Sequence, residues 1–462
     1  MQDVTVSGQG ADSSPEQVVR RLAARNVRMV ALSWVDNAGI SRAKAVPLGR
    51  LSQVARSGVG VSPVFDAFLV DDSRVQVDGL GGPDGDLRLL PDLSRATPLA
   101  GQPGWAWAPA DRYGLDGQRY PGCDRWFATR MVRAAAERGL SLRMGFETEW
   151  TVEPDPAAVT GPARVGAGPG FGMARLVDAG PYLLDVSDAL LAQEVDLLQI
   201  HSEYELGQFE VSTGAEDPLG AADVAVLVRH TLRAVSRNHG LRASFAPMTT
   251  LSGAGNGGHL HLSVHRDGQN LFQGGQGPRG MTAPGEAFLA GVLAALPALT
   301  AIGCPTPASY LRLVPSQWAG AYQCWGWENR EAAVRFVTGM PQERAEAANA
   351  EVKCFDLAAN PYLVVGSVIA AGLAGYDAAG QLPPEYLGDP ARADPAELAR
   401  LGVRRLPGSL DEAVRQFESS TLLRAALGDP LFDALLAVRR GESRRFADRT
   451  ADEIVEATRW RY

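Results

Sequence analysis

The sequence predicts an α+β protein with a smaller, strand-rich N-terminal part and a larger part in which helices and strands alternate. The chain has 462 residues, which is long enough for one large domain and a smaller one. Residues 101–121 are rich in Gly, Pro and Trp, which suits a domain boundary, and alternating helix and strand patterns begin at Asp124. We therefore expect a disordered tail at residues 1–15, a first domain at residues 16–115 and a second at residues 116–462.

The first domain is predicted to begin with a helix and to continue with strands. Ser14 is placed to cap the helix, and Pro15 occupies its first position, where the missing N–H has no helical partner to lose. The sequence Asp36-Asn37-Ala38-Gly39 is typical of a hairpin turn between two strands. The strands on either side of it are expected at residues 29–35 and 41–46, and further strands and loops at residues 61–77 and 86–91.

The second domain is predicted to consist of helix and strand pairs. Three pairs are expected, at residues 125–138 and 141–152, 192–199 and 208–211, and 221–239 and 243–247. Glycine-rich loops are expected at residues 154–169 and 253–258, and mostly helical structure from residue 384 onward. The sequence shows no internal repeat.

Composition and charge exclude several classes of function. Apolar residues make up 45% and charged residues 21% of the chain, as in an ordinary globular protein. The net charge of −9 argues against a nucleic-acid partner. The four cysteines lack a CxxC spacing, which fits a reducing cytoplasm and no structural zinc. Asp3 and Asp12 lie in an N-terminus without an apolar core, and the best apolar stretch, residues 362–373, is too short to span a membrane. Neither a signal peptide nor a membrane partner is therefore expected.

Four short segments place acidic or imidazole side chains in strand-like surroundings. They are Glu147-Thr148-Glu149, Glu203 with Glu210, His259-Leu260-His261, and Glu351. Side chains two apart in a strand point to the same face. Carboxylates that converge on one cleft would repel one another unless cations lay among them. The four segments together predict a site for two hard divalent metals and a phosphate-bearing substrate, although any one of them alone is more often a solvated strand face.

These segments and their neighbours resemble the glutamine synthetase family. The similar motifs occur in family order between about Val27 and the C-terminus. They are GFETE at residues 145–149, EYELGQFE at 203–210, GGHLHLS at 257–263, SYLRLVP at 309–315, NR at 329–330 with Arg335, and EVK at 351–353 followed by ANPY at 359–362.

The resemblance implies a small N-terminal β-grasp domain followed by a large catalytic α+β domain. It implies a reaction in which ATP phosphorylates the side-chain carboxylate of glutamate and an amine nitrogen then displaces phosphate. It also implies two metal ions per active site, Mg²⁺ or Mn²⁺, and a homo-oligomeric ring, commonly a dodecamer. Each active site in such a ring lies between two subunits.

The resemblance also assigns roles to individual residues. It makes Glu149, Glu203 and Glu210 ligands of one metal, and Glu147, His259 and Glu351 ligands of the other. It places His261 and Ser263 near ATP, and Arg330 and Arg335 on the phosphates, where guanidinium forks suit planar negative charge. It places Arg312 and Lys353 on glutamate, Gly255 and Gly257 where the backbone approaches the substrate closely, and Asp36 at the amine pocket of a neighbouring subunit.

The departures from the family pattern lie in the substrate half of the site. Trp318 stands where glutamine synthetase has the glutamate that guards the ammonium pocket, and Ala254 and Lys353 replace an asparagine and an arginine. Trp cannot take up a proton from ammonium, but its aromatic face can bind a larger ammonium-type amine. The alternative interpretation is that Trp318 only packs in a rearranged loop.

Three hypotheses follow from this comparison. The first is an ATP-dependent ligase that joins glutamate to an organic amine, with ethanolamine as the first candidate and a polyamine as the second. The second is an ordinary glutamine synthetase that uses ammonium. The third is a catalytically silent homologue that senses metabolites or supports assembly; the presence of all six predicted metal ligands argues against it.

Overall fold

A computed structural model describes residues 14–76, 80, 82, 85–158, 165–166 and 168–462. The predicted N-terminal tail up to residue 13 lies outside the described residues, as do residues 77–79 and the part of the predicted loop at 159–164 and 167. Mixed helices and sheets confirm the predicted α+β class.

The first part of the chain contains two helices and six strands in the described residues. These are α1 (Pro15–Ala24), β1 (Met29–Val35), β2 (Ser41–Pro47), α2 (Leu51–Ser57), β3 (Val59–Val61), β4 (Leu87–Pro91), β5 (Thr97–Pro98) and β6 (Trp105–Gly114). Helix α1 begins as predicted, because Gln17 N donates to Ser14 Oγ (3.3 Å) and the Gln17 side chain accepts from Ser14 N (2.7 Å).

The predicted hairpin between β1 and β2 is confirmed. The two strands pair antiparallel from Met29↔Pro47 to Val35↔Ser41. Gly39 in the turn has φ +85°, and a Cβ at this position would meet Ala358 O at 1.8 Å. Only glycine therefore allows the turn to lie against the second part of the chain.

Residues 101–121, which were predicted to suit a domain boundary, contain a strand of the first sheet, Trp105–Gly114. This strand, β6, forms the middle of the first sheet, whose order is β2-β1-β6-β4-β3, with β5 on β6. Trp107 is buried and donates to Ser33 Oγ (2.7 Å), and the small residues Ala106, Ala108 and Ala110 are buried beside it. The Trp and Ala content therefore reflects core packing, and we propose the boundary itself near residue 115, where β6 has ended.

The second part of the chain contains helices and strands in alternation and then a helical C-terminus. Its helices are α3 (Asp124–Ala136), α4 (Met173–Ala192), α5 (Pro218–Asn238), α6 (Ala283–Gly303), α7 (Pro307–Arg312), α8 (Arg344–Ala347), α9 (Pro361–Asp377), α10 (Pro395–Leu401), α11 (Leu410–Glu418), α12 (Thr421–Leu427), α13 (Asp429–Phe446) and α14 (Ala451–Thr458). Its strands are β7 (Ser141–Pro154), β8 (Leu197–Ser202), β9 (Gln208–Thr213), β10 (Leu241–Ser244), β11 (Leu260–Arg266), β12 (Gln269–Asn270), β13 (Tyr322–Trp327), β14 (Ala332–Val337), β15 (Asn349–Val352) and β16 (Arg404–Arg405).

The second sheet brings the strands of the acidic segments side by side. Its order is β16-β13-β14-β15-β11-β7-β9-β8, with β10 on β7 and β12 on β11. The register sets Glu210 opposite both Glu149 and His201, and His261 opposite Glu351. Because paired residues on one face lie close together, this register gathers the charged side chains at one place on the sheet.

The predicted helix at residues 192–199 is wrong. Helix α4 ends at Ala192, the chain turns through Glu194 at φ +62°, and Leu197–Ser202 forms strand β8 against β9. The left-handed residue stops the helix, and pairing with β9 then fixes the extended conformation, which overrides the local helical preference of the sequence. Helix α4 itself was not predicted.

Helices α6 and α9 form an apolar layer under the sheet. Helix α6 is long and apolar enough to cross a membrane by length and composition, a feature that the sequence analysis overlooked in favour of residues 362–373. Most of α6 is buried inside the protein, and it packs against α9. Buried core helices pass the same test, so α6 is weak evidence for a membrane span.

Glu442 of α13 makes the stability of the fold depend on pH. Its Oε1 accepts a hydrogen bond from Val70 N (2.6 Å), and its Oε2 has no partner among the described residues. Burial raises the pKa of Glu442 from its ordinary value of 4.5 to about 7. The native state therefore favours the protonated form, and its stability falls as the pH rises between these two values.

Glu442→Gln is therefore expected to raise Tm at about pH 8 by roughly 3 °C, because it removes the buried charge. At about pH 5 the same change should have little effect, since the native carboxyl is already protonated. Thermal melts at the two pH values check this, with Glu418→Gln on the exposed face of α11 as the control. An equal gain at both pH values would contradict the buried-charge explanation.

Candidate active site

The site is built on the adjacent strands β15, β11, β7, β9 and β8. Strand β7 carries Glu147 and Glu149 two residues apart on one face, and β9 carries Glu210 beside them. The remaining predicted ligands follow β8 or lie on or next to β11 and β15; they are Glu203, His259 and Glu351. The structure brings all six predicted metal ligands into one region, where most of them are buried.

Glu147, His259 and Glu351 form a compact group, here called cluster A. Each offers one ligand atom, and these atoms lie within 4.8 Å of one another. His259 Nδ1 is 2.9 Å from Glu147 Oε2 and 3.3 Å from Glu351 Oε1. The resemblance predicted this set of three residues, and the geometry brings the same three together.

A second group, here called cluster B, consists of His201, Glu203 and Glu210, with ligand atoms again within 4.8 Å of one another. His201 Nε2 is 3.0 Å from Glu203 Oε1 and 3.9 Å from Glu210 Oε1. His201 is not among the ligands predicted from the sequence. The signal was present, because His201 precedes Glu203 by two residues and so repeats the spacing of the other segments.

Glu149 does not complete cluster B as predicted. Its Oε2 accepts hydrogen bonds from Gly257 N (2.7 Å) and from the Gln208 side chain (3.4 Å), and its Oε1 is 3.8 Å from His259 Nε2. These contacts turn the carboxylate toward the loop before β11. Glu149 therefore lies between the two clusters.

The clusters are electrostatically different. Burial opposes ionisation of Glu351, but Lys353, His259 and His261 hold its pKa down to about 2. Burial also opposes ionisation of Glu147, while hydrogen bonds from His259 and His261 hold its pKa well below the usual range. In contrast, burial and the nearby charges of Glu147, Glu149 and Glu203 raise the pKa of Glu210 to about 9.

This donor set fits divalent cations. Carboxylate oxygens with one imidazole in each cluster suit hard or borderline divalent ions. Burial and the surrounding carboxylates favour a protonated Glu210 by raising its pKa, and a cation can replace that proton as the neutralising charge. Cluster A would hold one ion, and cluster B, with Glu149 beside it, would hold another.

The predicted phosphate-binding arginines have different surroundings. Arg335 is paired with Glu328 (2.7 Å) and with Glu351 (3.2 Å), so it reaches cluster A directly. Arg330 is exposed and makes no hydrogen bond or ion pair with any residue that the structure describes. Its guanidinium is therefore free for an anionic ligand, whereas that of Arg335 is occupied by carboxylates.

The predicted glutamate-binding residues lie against cluster A. Arg312 is buried, and its Nη2 is 3.1 Å from His259 Nε2. Lys353 is also buried and donates to Glu351 Oε1 (3.1 Å). A Cβ on Gly257 would lie 2.4 Å from His259 Nε2 and 2.8 Å from Arg312 Nη2, so glycine is required here by the protein's own side chains. Gly255 is crowded in the same way, by Pro247 O at 2.3 Å.

His261 and Ser263 follow His259 along β11. His261 Nε2 is 3.1 Å from Glu147 Oε1, and His261 Nδ1 is 2.8 Å from Asn349 Oδ1. Burial opposes protonation of His261, but its contacts with Glu147 raise its pKa to about 9. Ser263 Oγ is 2.9 Å from His265 Nε2. Their predicted places near ATP stay predictions.

Asp36 forms hydrogen bonds within its own hairpin. Its Oδ1 accepts from Ala38 N (3.0 Å) and Ile40 N (2.9 Å), and its Oδ2 accepts from Arg42 Nε (2.8 Å). Burial raises its pKa to about 6. The buried carboxylate therefore stabilises its own hairpin turn, and its predicted contribution to a neighbouring subunit stays a prediction.

An exposed aromatic triad, Phe171, Tyr204 and Trp318, adjoins cluster B. Trp318 is 51% exposed, which favours a ring available to a ligand over one that only packs in a rearranged loop, and its predicted role stays a prediction. Its ring lies 5.5 Å from that of Tyr204, which lies 5.2 Å from that of Phe171, and Phe171 stacks on His201 at 5.1 Å. Sequence reasoning missed Phe171 and Tyr204, since only the folded loops bring them to Trp318.

Comparison with known families assigns the class of protein. Residues 14–119 match the glutamine synthetase N-terminal domain, and residues 121–458 match the glutamine synthetase catalytic domain. The chain belongs to the glutamine synthetase family of ATP-dependent ligases, whose members use divalent metals. The resemblance predicted from the motifs is thereby confirmed.

Two individual relatives show how similar the sequence is to members of this family. The chain is 54% identical over 442 residues to γ-glutamylpolyamine synthetase GlnA3 of Streptomyces coelicolor, covering 96% of this chain and 95% of the relative. It is 29% identical to glutamine synthetase of Pyrococcus abyssi, covering 89% of each.

Two solved structures share the fold over nearly the whole chain. A glutamine synthase homologue is similar with a TM-score of 0.84 and 31% identity, covering 94% of this chain and 99% of the other. A complex of GmaS with ADP is similar with a TM-score of 0.81 and 26% identity, covering 94% of this chain and 97% of the other.

Proposed function

We propose that this protein joins the γ-carboxylate of glutamate to a primary amine of a polyamine, with ATP as the energy source. The observation that carries this proposal is the exposed aromatic triad beside cluster B, with Trp318 in place of the glutamate that glutamine synthetase uses for ammonium. The identity to a γ-glutamylpolyamine synthetase supports the same substrate class.

The reaction would proceed in two steps. An oxygen of the glutamate γ-carboxylate attacks the γ-phosphorus of ATP, and ADP leaves. The amine nitrogen then attacks the carbonyl carbon of γ-glutamyl phosphate, loses a proton, and phosphate leaves. Two divalent ions, Mg²⁺ or Mn²⁺, would supply charge neutralisation at the phosphoryl group when held by clusters A and B. The free guanidinium of Arg330 is suited to the same negative charge, and Arg312 to the α-carboxylate of glutamate.

A polyamine suits this site better than a monoamine on physical grounds. The attacking nitrogen must be uncharged, whereas aromatic faces bind ammonium groups. A polyamine carries both kinds of nitrogen in one molecule, so one end can be held as a cation while the other reacts. Glu203 and Glu205 flank Tyr204 and add negative charge nearby. Polyamines are therefore better candidates than ethanolamine, the reverse of the order predicted from the sequence alone.

The finer features of the assembly rest on the family resemblance. We propose a homo-oligomeric ring, commonly a dodecamer in this family, in which the hairpin turn that contains Asp36 lies at the amine pocket of the next subunit. We also propose a cytoplasmic location, which is supported by four free, buried cysteines, all of them within the described residues.

An amine panel tests the proposed function. Phosphate release is measured with ATP, Mg²⁺, glutamate and one of ammonium, ethanolamine, butylamine, putrescine or spermidine. Putrescine is expected to exceed butylamine in kcat/KM by roughly 10-fold, because butylamine has the same length but no second ammonium group. If ammonium supports turnover and none of the organic amines does, the proposal is contradicted and an ordinary glutamine synthetase is favoured. Nucleotide binding without phosphate release on any amine would favour the silent homologue.

A further inference from the structure

The loop that carries Trp318 has an unfavourable backbone. Ser316 has φ +58° and Trp318 has φ +55°, both in the left-handed region that non-glycine residues seldom adopt. Such residues cost free energy and persist only where the surroundings hold them. The ring of Trp318 is a weak source of that restraint, since it is exposed and its ring contact is with Tyr204, which is also exposed.

Glu331 supplies a restraint from beneath the loop. Its Oε1 accepts a hydrogen bond from Trp318 N (2.8 Å), and only 6% of the residue is exposed. The backbone of Glu331 is fixed in turn, because its N–H donates to Asn329 Oδ1 (3.0 Å). Asn329 Nδ2 donates to Tyr386 O (2.9 Å) and Gly388 O (3.0 Å), and these hydrogen bonds hold the turn against the distant segment 386–388.

A buried carboxylate at position 331 costs free energy of folding. Glu331 Oε2 is buried and has no partner within hydrogen-bond geometry among the described residues, and burial raises the pKa of the side chain although the main chains of Trp318 and Ser316 act to lower it. A buried oxygen without a partner destabilises the fold. Packing alone therefore does not explain the side chain, whereas its hydrogen bond to Trp318 N explains both its length and its direction.

We infer that Glu331 is a positioning residue that sets amine specificity, by holding the Trp318 ring against Tyr204 at the edge of the amine pocket. This inference rests on the proposed function. It assigns to Glu331 no contact with substrate. The residue acts through the main chain of Trp318, so its side-chain length matters and its charge does not.

Two conservative variants separate the effect of side-chain length from the effect of charge. Glu331→Gln keeps the length and an acceptor oxygen but loses the charge, whereas Glu331→Asp keeps the charge and is one methylene too short. We expect Glu331→Gln to match the wild type in the KM for putrescine. We expect Glu331→Asp to raise that KM by roughly 5- to 20-fold, with the KM values for ATP and glutamate unchanged. Glu346→Asp on the exposed helix α8 is the matched control.

The outcomes are distinguishable. If Glu331→Gln raises the KM as much as Glu331→Asp, the charge is required and the positioning role is overturned. If neither variant changes the KM for putrescine while the wild type uses putrescine, the inference alone fails. If the wild type uses only ammonium, the proposed function fails, whatever the variants do. A shift of the summed tryptophan fluorescence in Glu331→Asp, absent in Glu331→Gln, is the expected second readout.

Discussion

Glu210→Gln is expected to lower phosphate release by on the order of 10³-fold with every amine and with ammonium, while the metal-free protein keeps its stability. The physical reason is the raised pKa of Glu210, about 9, caused by burial and three nearby carboxylates. Without a cation the residue is neutral at pH 7, so glutamine replaces it without a change of charge. A cation needs the ionised carboxylate, which glutamine cannot supply.

Thermal melts with and without Mn²⁺, together with phosphate release, check this prediction. The wild type should gain stability on addition of Mn²⁺ by mass action, and Glu210→Gln should gain less. Glu153→Gln, on the same strand β7 but paired with Arg242 away from the clusters, is the control and should behave as the wild type. Undiminished turnover by Glu210→Gln would overturn the assignment of cluster B.

Trp318→Glu is expected to reverse the amine preference. The change removes an aromatic face from the triad and restores the residue type that glutamine synthetase has at this position. We expect kcat/KM for putrescine to fall by roughly 10-fold and that for ammonium to rise, because a carboxylate can form an ion pair with ammonium and take up its proton, which an indole ring cannot do. Paired kinetics with the two amines give the ratio directly.

A second tryptophan provides the control for this change. Trp327 lies at the end of β13, is partly exposed and donates to Thr338 Oγ1 (3.0 Å), outside the aromatic triad. Trp327→Leu should leave the amine preference unchanged. If Trp318→Glu also leaves it unchanged, the triad does not select the amine, and the specificity must come from other residues.

The strand pattern around the metal ligands was predictable because it depends on local periodicity. Glu147 and Glu149 alternate with buried residues on β7, so their common face follows from the period of two. The cap at Ser14 and the turn at Asp36 are also local features. His201 carried the same signal as Glu203, and the sequence analysis overlooked it.

Other parts of the site depend on packing between distant segments. Phe171 and Trp318 are far apart in the sequence, and only the folded loops place both of them near Tyr204. Strand β8 forms because β9 lies beside it, which local preference did not indicate. The hydrogen bond from Trp318 N to Glu331 likewise joins two turns, and the local sequence does not predict their conformations.

Amine ligation through an acyl phosphate can be tested in one competition experiment. Glutamate labelled with ¹⁸O in its γ-carboxylate is incubated with ATP, Mg²⁺ and equal concentrations of putrescine and ammonium, and the products are analysed by mass spectrometry. The expected product is mainly γ-glutamylputrescine, with one ¹⁸O atom transferred to each phosphate released. Glutamine as the main product, or phosphate without the label, would contradict this mechanism.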